Sequence, residues 1–522
     1  MVRPDPMVAL TRIPGWLARR TGWQRLGLAV LAGALSALGF APLGYFPFLL
    51  LGIGFLVLLI DAALTEAKPL RRAGLYGWGF GFGQFAVGLH WIGFAFMVDA
   101  ADHAWQLPFV ALLFPGGLAL FTASSSLLAA RFWRPGIGRV FVFALAYGLA
   151  EWLRGHILTG FPWNIAAHGW GMVPAVMQGA ALFGSYGLSL LTALFGASLA
   201  LLTEEKRWHV PVALAGLFAL LFVWGAFRLA TVHPADVAGV RIRLVQPNIP
   251  QPEKFRRDMV PRNWQRLVDL STAPGADGKA PSVVIWPEAA LPFLYTPDSM
   301  GAEWVADITA RRRVLMTGAV RADFTGEKPV YYNSFLAFAG ARQVAVYDKS
   351  HLVPFGEYLP FEETLNALGL QKLTGIAGSF GRGDGPQSFA LPGLPTVGPL
   401  ICYEILFPGA VVGDTRPDWF ANITDDSWFG PWAGPRQHLL VARMRAIEEG
   451  VPVVRVANSG ISAVIDPLGR ITTNSELYTR TFIDSGLPVR ILPTVYSFFR
   501  AGWFWAIVSA LLIFTAVFYR RK

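Results

Sequence analysis

Three side chains that could take part in catalysis each follow a short apolar run of the sequence. Glu288, Lys349 and Cys402 all come within two residues of such a run. Runs of this length and composition are typical of buried strands. The ends of neighbouring strands can meet in one pocket, so a carboxylate, an amine and a thiol could act together there.

These three groups are sufficient for acyl transfer. A cysteine thiol has a pKa of about 8.5, so a nearby base such as Glu288 can take its proton while the sulfur attacks a carbonyl. The ammonium of Lys349 and a backbone N–H just after Cys402 can stabilise the resulting oxyanion. Each such donor commonly contributes about 3–4 kcal/mol.

Each residue also has an ordinary structural interpretation. A lone cysteine after an apolar strand is often a packed core thiol, and Glu or Lys at a strand end is usually solvated. A second catalytic interpretation pairs Cys402 with His351 or His438, as in papain-like enzymes. The 8 histidines have no metal-binding spacing, so we expect them to be structural and expect no metal site. The sequence also has no G-x-S-x-G motif of the kind that carries a nucleophilic serine. The single cysteine excludes an intrachain disulfide.

The elements that must position these groups lie in Pro234–Pro493, a segment of about 260 residues with an α/β texture. Gly-rich Phe355–Pro386 has no clear period, and we expect it to be a lid over the site. Arg436–Glu449 is the clearest helix. The predicted strands are Val240–Val245, Ser282–Trp286, Val314–Gly318, Ser334–Ala339, Val344–Tyr347, Thr396–Ile401, Trp419–Asn422 and Val451–Val456.

The rest of the chain has the composition of a membrane protein. Hydrophobic residues make up 54% of the 522 residues and charged residues only 15%, which excludes an ordinary soluble enzyme. The net charge of +10 could indicate a nucleic-acid partner. However, the basic residues lie between apolar runs rather than in a stripe, so we expect no nucleic-acid binding.

Apolar windows of about 20 residues predict eight transmembrane helices. Leu26–Ile60 is interrupted by Pro42, Gly44 and Pro47 and is interpreted as two spans joined by a turn. The other six predicted spans are Ala73–Val98, Ala104–Ala130, Val140–Leu153, Val173–Leu202, Val210–Phe227 and Ala501–Tyr519.

Basic residues set the expected orientation. Arg and Lys flank one face of the predicted spans, before the first, after the second, fourth and sixth, and after the eighth, so both termini should be cytoplasmic. The predicted domains are residues 1–233 with spans one to seven, the outward-facing 234–493, and 494–522 with the eighth span. A cleaved signal peptide is the alternative for the N-terminus, but the adjoining second span favours retention.

Several ordered motifs resemble a known superfamily. They are Trp286-Pro287-Glu288, Asp348-Lys349 followed by Phe355-Gly356-Glu357-Tyr358, Cys402-Tyr403-Glu404, and Arg443–Asn458 with Ser459-Gly460. Together they resemble the Glu-Lys-Cys signature of the nitrilase superfamily. With the predicted spans and the segments Glu151–Gly155 and Gly160–Trp163, nearly the whole chain is similar to the apolipoprotein N-acyltransferase family.

The resemblance implies a polytopic α-helical membrane protein with an inserted nitrilase-like αββα sandwich. It implies that Glu288 is the general base, Lys349 the stabiliser of the tetrahedral intermediate and Cys402 the nucleophile. The further positions implied to support the site are Glu357, Tyr358, Tyr403, Glu404, Phe255 and Trp163. Phe255 departs from relatives that have a functional Trp there, so an aromatic wall is kept and an indole N–H is not.

The family passes an acyl chain from a phospholipid to the enzyme thiol and then to the α-amino group of a diacylglyceryl-cysteine. This implies a phospholipid donor, an apolipoprotein acceptor and no cofactor. It also implies a monomer in the lipid bilayer of the bacterial cytoplasmic (inner) membrane, with the catalytic domain on the periplasmic side. Two rivals are a membrane-tethered amidase of the nitrilase type and a transporter with an accessory domain; the eight spans argue against the first and the few intramembrane charges against the second.

Overall fold

The chain divides into two compact units, each described by itself below. A computed structural model describes residues 10–275, 278–296, 300–309, 314–326, 328–367 and 379–520. The helical unit comprises the chain up to Gly93, Trp105–Val232 and the chain from Thr494. The sheet unit comprises Phe94–Ala104 and His233–Pro493.

Sixteen α-helices occur among the described residues. They are α1 (Ile13–Ala18), α2 (Gly22–Ser36), α3 (Phe46–Ala63), α4 (Pro69–Gly88), α5 (Ala100–His103), α6 (Leu107–Arg131), α7 (Gly138–Arg154), α8 (Pro174–Met177), α9 (Ala180–Ser198), α10 (His209–Thr231), α11 (Val260–Thr272), α12 (Met300–Thr309), α13 (Glu362–Ala367), α14 (Ala433–Glu449), α15 (Val495–Phe499) and α16 (Ala501–Arg520). Short 3-10 turns join several of them.

The predicted count of eight spans is not confirmed. Among the described residues, 4 helices are long and apolar enough to cross a membrane: Phe46–Ala63, Ala100–Arg131, Ala180–Thr203 and His209–Thr231. α4 and the 3-10 segment His90–Met97 form a fifth candidate, bent by 51°. The helices α2 and α7 have only 15 and 17 residues, and α16 offers a shorter apolar stretch, whereas a straight span needs about 20 residues.

Small residues let the backbones of α2 and α4 touch. A Cβ added at Gly33 would lie 1.9 Å from the carbonyl oxygen of Phe80. A Cβ added at Gly83 would lie 2.0 Å from the carbonyl oxygen of Val30. Close approach through small residues is the usual way in which apolar helices pack when all surroundings are equally apolar.

The sheet unit contains two sheets. Their strands are β1 (Asp236–Gln246), β2 (Val283–Ile285), β3 (Val314–Asp323), β4 (Val330–Ala339), β5 (Arg342–Asp348), β6 (Val397–Ile401), β7 (Trp419–Thr424), β8 (Val453–Ala457), β9 (Ala463–Ile465), β10 (Ile471–Asn474) and β11 (Thr481–Pro488). The six-stranded sheet has the order β11-β1-β2-β3-β4-β5, and the five-stranded sheet has the order β10-β9-β8-β7-β6. β1, β2 and β3 are parallel to one another, as are β6, β7 and β8.

Three apolar cores make this unit a four-layer αββα sandwich. The largest core lies between the sheets and joins side chains such as Ile285 and Met316 of one sheet to Ile401 and Ile423 of the other. A second core packs α11 and α12 on the six-stranded sheet. The third packs α14 on the five-stranded sheet. Burial of both sheet faces explains why the strands are near-continuous apolar runs.

All eight predicted strands are confirmed, although their ends shift by a few residues, and helix α14 begins three residues before the predicted Arg436. β9, β10 and β11 were not predicted. β10 was missed because it is largely exposed, and β11 because Asp484 and Gly486 interrupt its apolar run. In the predicted lid, Phe355–Pro386, the structure has the short helix α13, and residues 368–378 lie outside the described residues. Its role as a lid stays a prediction.

Gly318 of β3 supports the turn that carries Glu288. Its N–H donates to the Pro287 carbonyl at 3.1 Å, and its own carbonyl accepts from the N–H of Ala290 at 2.9 Å. A Cβ at this position would lie 2.4 Å from the Ala289 nitrogen and 2.6 Å from the Cα of Glu288. Only glycine allows this approach.

We predict that Gly318→Ala destabilises the sheet unit by about 1–3 kcal/mol, because the added methyl must push the turn away. Thermal unfolding of the detergent-purified protein measures this change. Gly326→Ala is the matched control, since its nearest neighbour would be the Lys328 carbonyl at 3.7 Å, and its effect should stay within about 0.5 kcal/mol. Equal stability of the two variants would contradict the role given to Gly318.

Candidate active site

The structure brings Glu288, Lys349 and Cys402 together. Glu288 lies three residues after β2, Lys349 directly after β5 and Cys402 directly after β6. All three are buried, with exposures of 7%, 1% and 7%. The Lys349 Nζ lies 3.4 Å from Glu288 Oε1, and both charged groups are within electrostatic reach of the Cys402 thiol.

Lys349 lies between two carboxylates. Its Nζ donates to Glu357 Oε1 at 3.0 Å as well as approaching Glu288. The side-chain amide of Asn333 bridges the same carboxylates, donating to Glu288 Oε1 at 2.7 Å and to Glu357 Oε1 at 2.8 Å. Glu288 Oε2 accepts from the N–H of Asp425 at 2.8 Å. These bonds fix the base and the ammonium relative to each other.

A second buried ammonium, Lys254, contacts the backbone of Glu288. It donates to the Glu288 carbonyl oxygen at 2.9 Å and to Asp425 Oδ2 at 2.5 Å. Asn458 also donates to Asp425, at 3.3 Å. The sequence analysis missed Lys254, Asn333 and Asp425. Lys254 stands beside Phe255, but a Lys in a polar turn has no signal that distinguishes it from a solvated one.

Burial and the neighbouring charges together determine the protonation of the site. It raises the pKa of Glu288 above its ordinary 4.5, although Lys349 opposes this shift. Burial alone would lower the pKa of Lys349, but the Glu357 and Glu288 carboxylates raise it above its ordinary 10.5. Burial, reinforced by the charge of Glu288, raises the pKa of the Cys402 thiol. The lysine therefore stays charged and the thiol stays protonated until a base takes its proton.

Cys402 adopts a left-handed backbone conformation, with φ at +49°, at the sharp turn that follows β6. Its carbonyl oxygen accepts from Nε2 of His438 at 3.2 Å. The alternative prediction pairs Cys402 with a histidine as its base. In the structure, His438 contacts the backbone carbonyl of Cys402.

Behind this turn lies a fully buried charged cluster of Asp426, His438 and Arg455. Asp426 Oδ2 accepts from Arg455 at 2.6 Å, and its Oδ1 lies 3.0 Å from His438 Nδ1. Although burial opposes it, the charges of Arg455 and His438 hold the pKa of Asp426 below its usual range. Burial, reinforced by Arg455, lowers the pKa of His438. The sequence analysis gave no role to Asp426 or Arg455, although Arg455 lies within the motif Arg443–Asn458.

Glu404 joins the turn after β5 to the turn after β6. Its Oε1 accepts from the Tyr347 hydroxyl at 2.7 Å and from the Ser350 N–H at 2.8 Å. Its Oε2 accepts from the Ile401 N–H at 2.8 Å. These bonds hold the strand end before Cys402 against the segment that follows Lys349, so the predicted supporting residue positions two groups of the site.

The other predicted supporting residues of the sheet unit make local contacts. The Tyr403 ring packs edge-on against Phe407 at 5.1 Å, and His351 stacks on Phe407 at 3.6 Å. Tyr358 is half-buried, and its carbonyl accepts from the N–H of Phe355 at 2.8 Å. The side chain of Phe255 is 41% exposed.

Trp163 belongs to the helical unit and is described there alone. It is buried and packs against Trp91 at 4.7 Å. Its carbonyl accepts from Arg154 at 2.8 Å, and the Phe161 carbonyl accepts from the same guanidinium at 2.7 Å. Arg154 therefore satisfies the backbone of the non-helical segment around Trp163.

The arrangement can support covalent acyl chemistry at sulfur. It combines a thiol, a carboxylate with a raised proton affinity and an ammonium that can face a negative oxygen. Among the described residues, there is no group of three or more His, Cys, Asp or Glu side chains suited to hold a metal ion.

Comparisons with known proteins cover both parts of the chain. Residues 32–198 match the apolipoprotein N-acyltransferase N-terminal domain, and residues 241–485 match the carbon-nitrogen hydrolase family. The apolipoprotein N-acyltransferase of Rhodopseudomonas palustris is 41% identical over 98% of both chains. That of Bradyrhizobium diazoefficiens is 42% identical over 98% of this chain and 96% of its own. By this similarity over nearly the full length, the chain belongs to the apolipoprotein N-acyltransferase family.

Proposed function

We propose that the chain transfers a fatty acyl group from a phospholipid to the α-amino group of the diacylglyceryl-cysteine of an apolipoprotein, through a thioester on Cys402. The observation that carries this proposal is the buried constellation of one thiol, one base and one ammonium in a chain whose other unit is built of apolar helices. Family membership supports an acyltransferase. Glu288 acts as the base, Lys349 as the oxyanion stabiliser and Cys402 as the nucleophile.

The first half-reaction forms the thioester. Glu288 takes the thiol proton as the sulfur attacks the ester carbonyl of the phospholipid, and negative charge develops on the carbonyl oxygen. Lys349 and the N–H after Cys402 stabilise that oxyanion. When the carbon–oxygen bond of the ester breaks, Glu288 returns the proton to the departing lysophospholipid.

The second half-reaction uses the same groups. The amine of the acceptor attacks the thioester carbonyl while Glu288 accepts a proton from the nitrogen. An amide forms, the carbon–sulfur bond breaks, and the thiolate recovers its proton. Glu288 must both accept and return a proton. A raised pKa suits this two-way transfer, because it brings the proton affinity of Glu288 nearer to those of the thiol and the amine.

We further propose that residues 1–233 and 494–522 form a membrane part with eight spans and that residues 234–493 form the periplasmic catalytic domain. The four apolar helices and the bent pair support five of the spans. α2, α7 and α16 would supply the other three if their ends extend into the interface. All three catalytic groups come from one chain, which fits a monomer in the inner membrane.

We predict that Cys402→Ala abolishes transfer and that Glu288→Gln and Lys349→Met each lower its rate by at least about a hundredfold, the scale of a lost base or oxyanion donor. Transfer to a diacylated lipopeptide in detergent measures this. The exposed positions offer matched controls, Glu303→Gln and Lys328→Met, which should keep the wild-type rate. A Lys349→Met rate equal to that of its control would contradict the role of Lys349.

We predict that phospholipid alone acylates the enzyme. Mass spectrometry should find one acyl mass on Cys402 and an equivalent of lysophospholipid, since donor and acceptor need never occupy the site together. Lipopeptide added later should remove that mass into an N-acyl product. If water clears the adduct as fast as lipopeptide does, the protein is a hydrolase instead.

We predict that the catalytic domain faces the periplasm, because the basic residues lie on the opposite face of the spans. Alkaline phosphatase fused after Pro274 should be active, and the same reporter fused after Arg134 should be inactive. The reverse pattern of activities would refute this orientation.

A further inference from the structure

The peptide bond between Cys402 and Tyr403 has a defined orientation. The Cys402 carbonyl is directed toward helix α14, where it accepts from His438 Nε2 at 3.2 Å. A trans peptide is planar, and its C=O and N–H point in opposite directions. The N–H of Tyr403 is therefore turned away from α14. This N–H is the backbone donor that the mechanism assigns to the oxyanion.

His438 is held rigidly enough to set that orientation. Its side chain has 0% exposure. Its Nδ1 lies 3.0 Å from Asp426 Oδ1 and 3.1 Å from Arg455 Nη2. Arg455 is in turn fixed by Asn422, whose Oδ1 accepts at 2.7 Å. Because a carbonyl oxygen can only accept, Nε2 carries a proton whatever the state of Nδ1.

This geometry favours a positioning role for His438 over a role as the base that deprotonates Cys402. Its Nε2 donates to the backbone carbonyl of Cys402 and is therefore already engaged. The Thr424 hydroxyl donates to Asp426 Oδ1 at 3.0 Å. The buried cluster reaches the nucleophile through the carbonyl oxygen of Cys402.

We propose that His438 is a positioning residue that holds the Cys402–Tyr403 peptide so that the Tyr403 N–H faces the oxyanion of the acyl transfer. The inference rests on the proposed thioester chemistry. The left-handed conformation of Cys402 makes such a support necessary, because few side chains adopt a φ of +49° without one. Asp426 and Arg455 act through His438 by fixing its ring.

Two reactions of Cys402 separate this role from a general structural one. Alkylation by iodoacetamide is a displacement at carbon that forms no oxyanion, whereas acylation by an ester does. The acylation probes are phospholipid and p-nitrophenyl butyrate. In His438→Met, acylation by both esters should slow by about ten- to a hundredfold, with KM little changed, because an oxyanion donor is misdirected. Alkylation should stay within about twofold of the wild type.

Conservative variants test the donor itself. The amide of His438→Gln can place an N–H near the position of Nε2, and this variant should recover most of the acylation rate. The shorter amide of His438→Asn reaches only the position of Nδ1 and should not. Arg443→Met is the matched control, since Arg443 lies on the same helix and donates to the Gly469 carbonyl at 2.8 Å. It should leave both reactions near the wild-type rates.

Two results would overturn the inference. Alkylation and acylation that fall together in His438→Met would mean that the whole nucleophile turn is displaced, and unchanged acylation would mean that His438 positions nothing. If His438→Met does not fold, the acylation rates of His438→Gln and His438→Asn are compared instead. Equal acylation rates in these two variants would refute the positioning role of His438. Acylation of the wild type by the butyrate ester but not by phospholipid would refute the proposed donor and leave the test of His438 intact.

Discussion

The site depends on one constraint, which is that a buried ammonium needs buried partners. Lys349 is 1% exposed, and a charge of this kind costs several kcal/mol to remove from water unless all of its bonds are satisfied. Glu288 and Glu357 supply the opposite charge, and Asn333 bonds to both. The main-chain N–H of Asp425 donates to the other carboxylate oxygen of Glu288. Charge satisfaction therefore adds to apolar packing in fixing the strand ends.

The same burial gives the site its chemistry. It raises the pKa of both Glu288 and Cys402, so the thiol keeps its proton until an ester carbonyl arrives. It also strengthens the field of Lys349, because charges interact more strongly where water is excluded. If the same three residues were exposed, Lys349 would interact less strongly with a developing negative charge, and the thiol would be solvated. The four-layer sandwich matters because it buries these strand ends.

The sequence was sufficient for much of the fold and for the three central groups. Strands buried on both faces are continuous apolar runs, and the chemical residues follow them directly. The partners Lys254, Asn333 and Asp425 were missed, because a polar residue in a turn has the same local signal whether it is buried or solvated. The count of eight spans was not confirmed for another reason. Hydropathy measures the apolar length of a segment, but it does not show how much of that length is helical, and α2 and α7 have only 15 and 17 residues.

The single cysteine places a strong demand on the proposed scheme. Both half-reactions must pass through the same sulfur, so both tetrahedral intermediates place their oxyanion at the same point. In that scheme Lys349 and the peptide after Cys402 act twice in each turnover, so an error in their position would slow acylation and deacylation alike. A rigid donor is favoured over an adaptable one, because the site has to suit an ester and a thioester with one geometry. The cluster of Asp426, His438 and Arg455 suits this demand, because it is fully buried and its side chains are joined to one another by polar contacts.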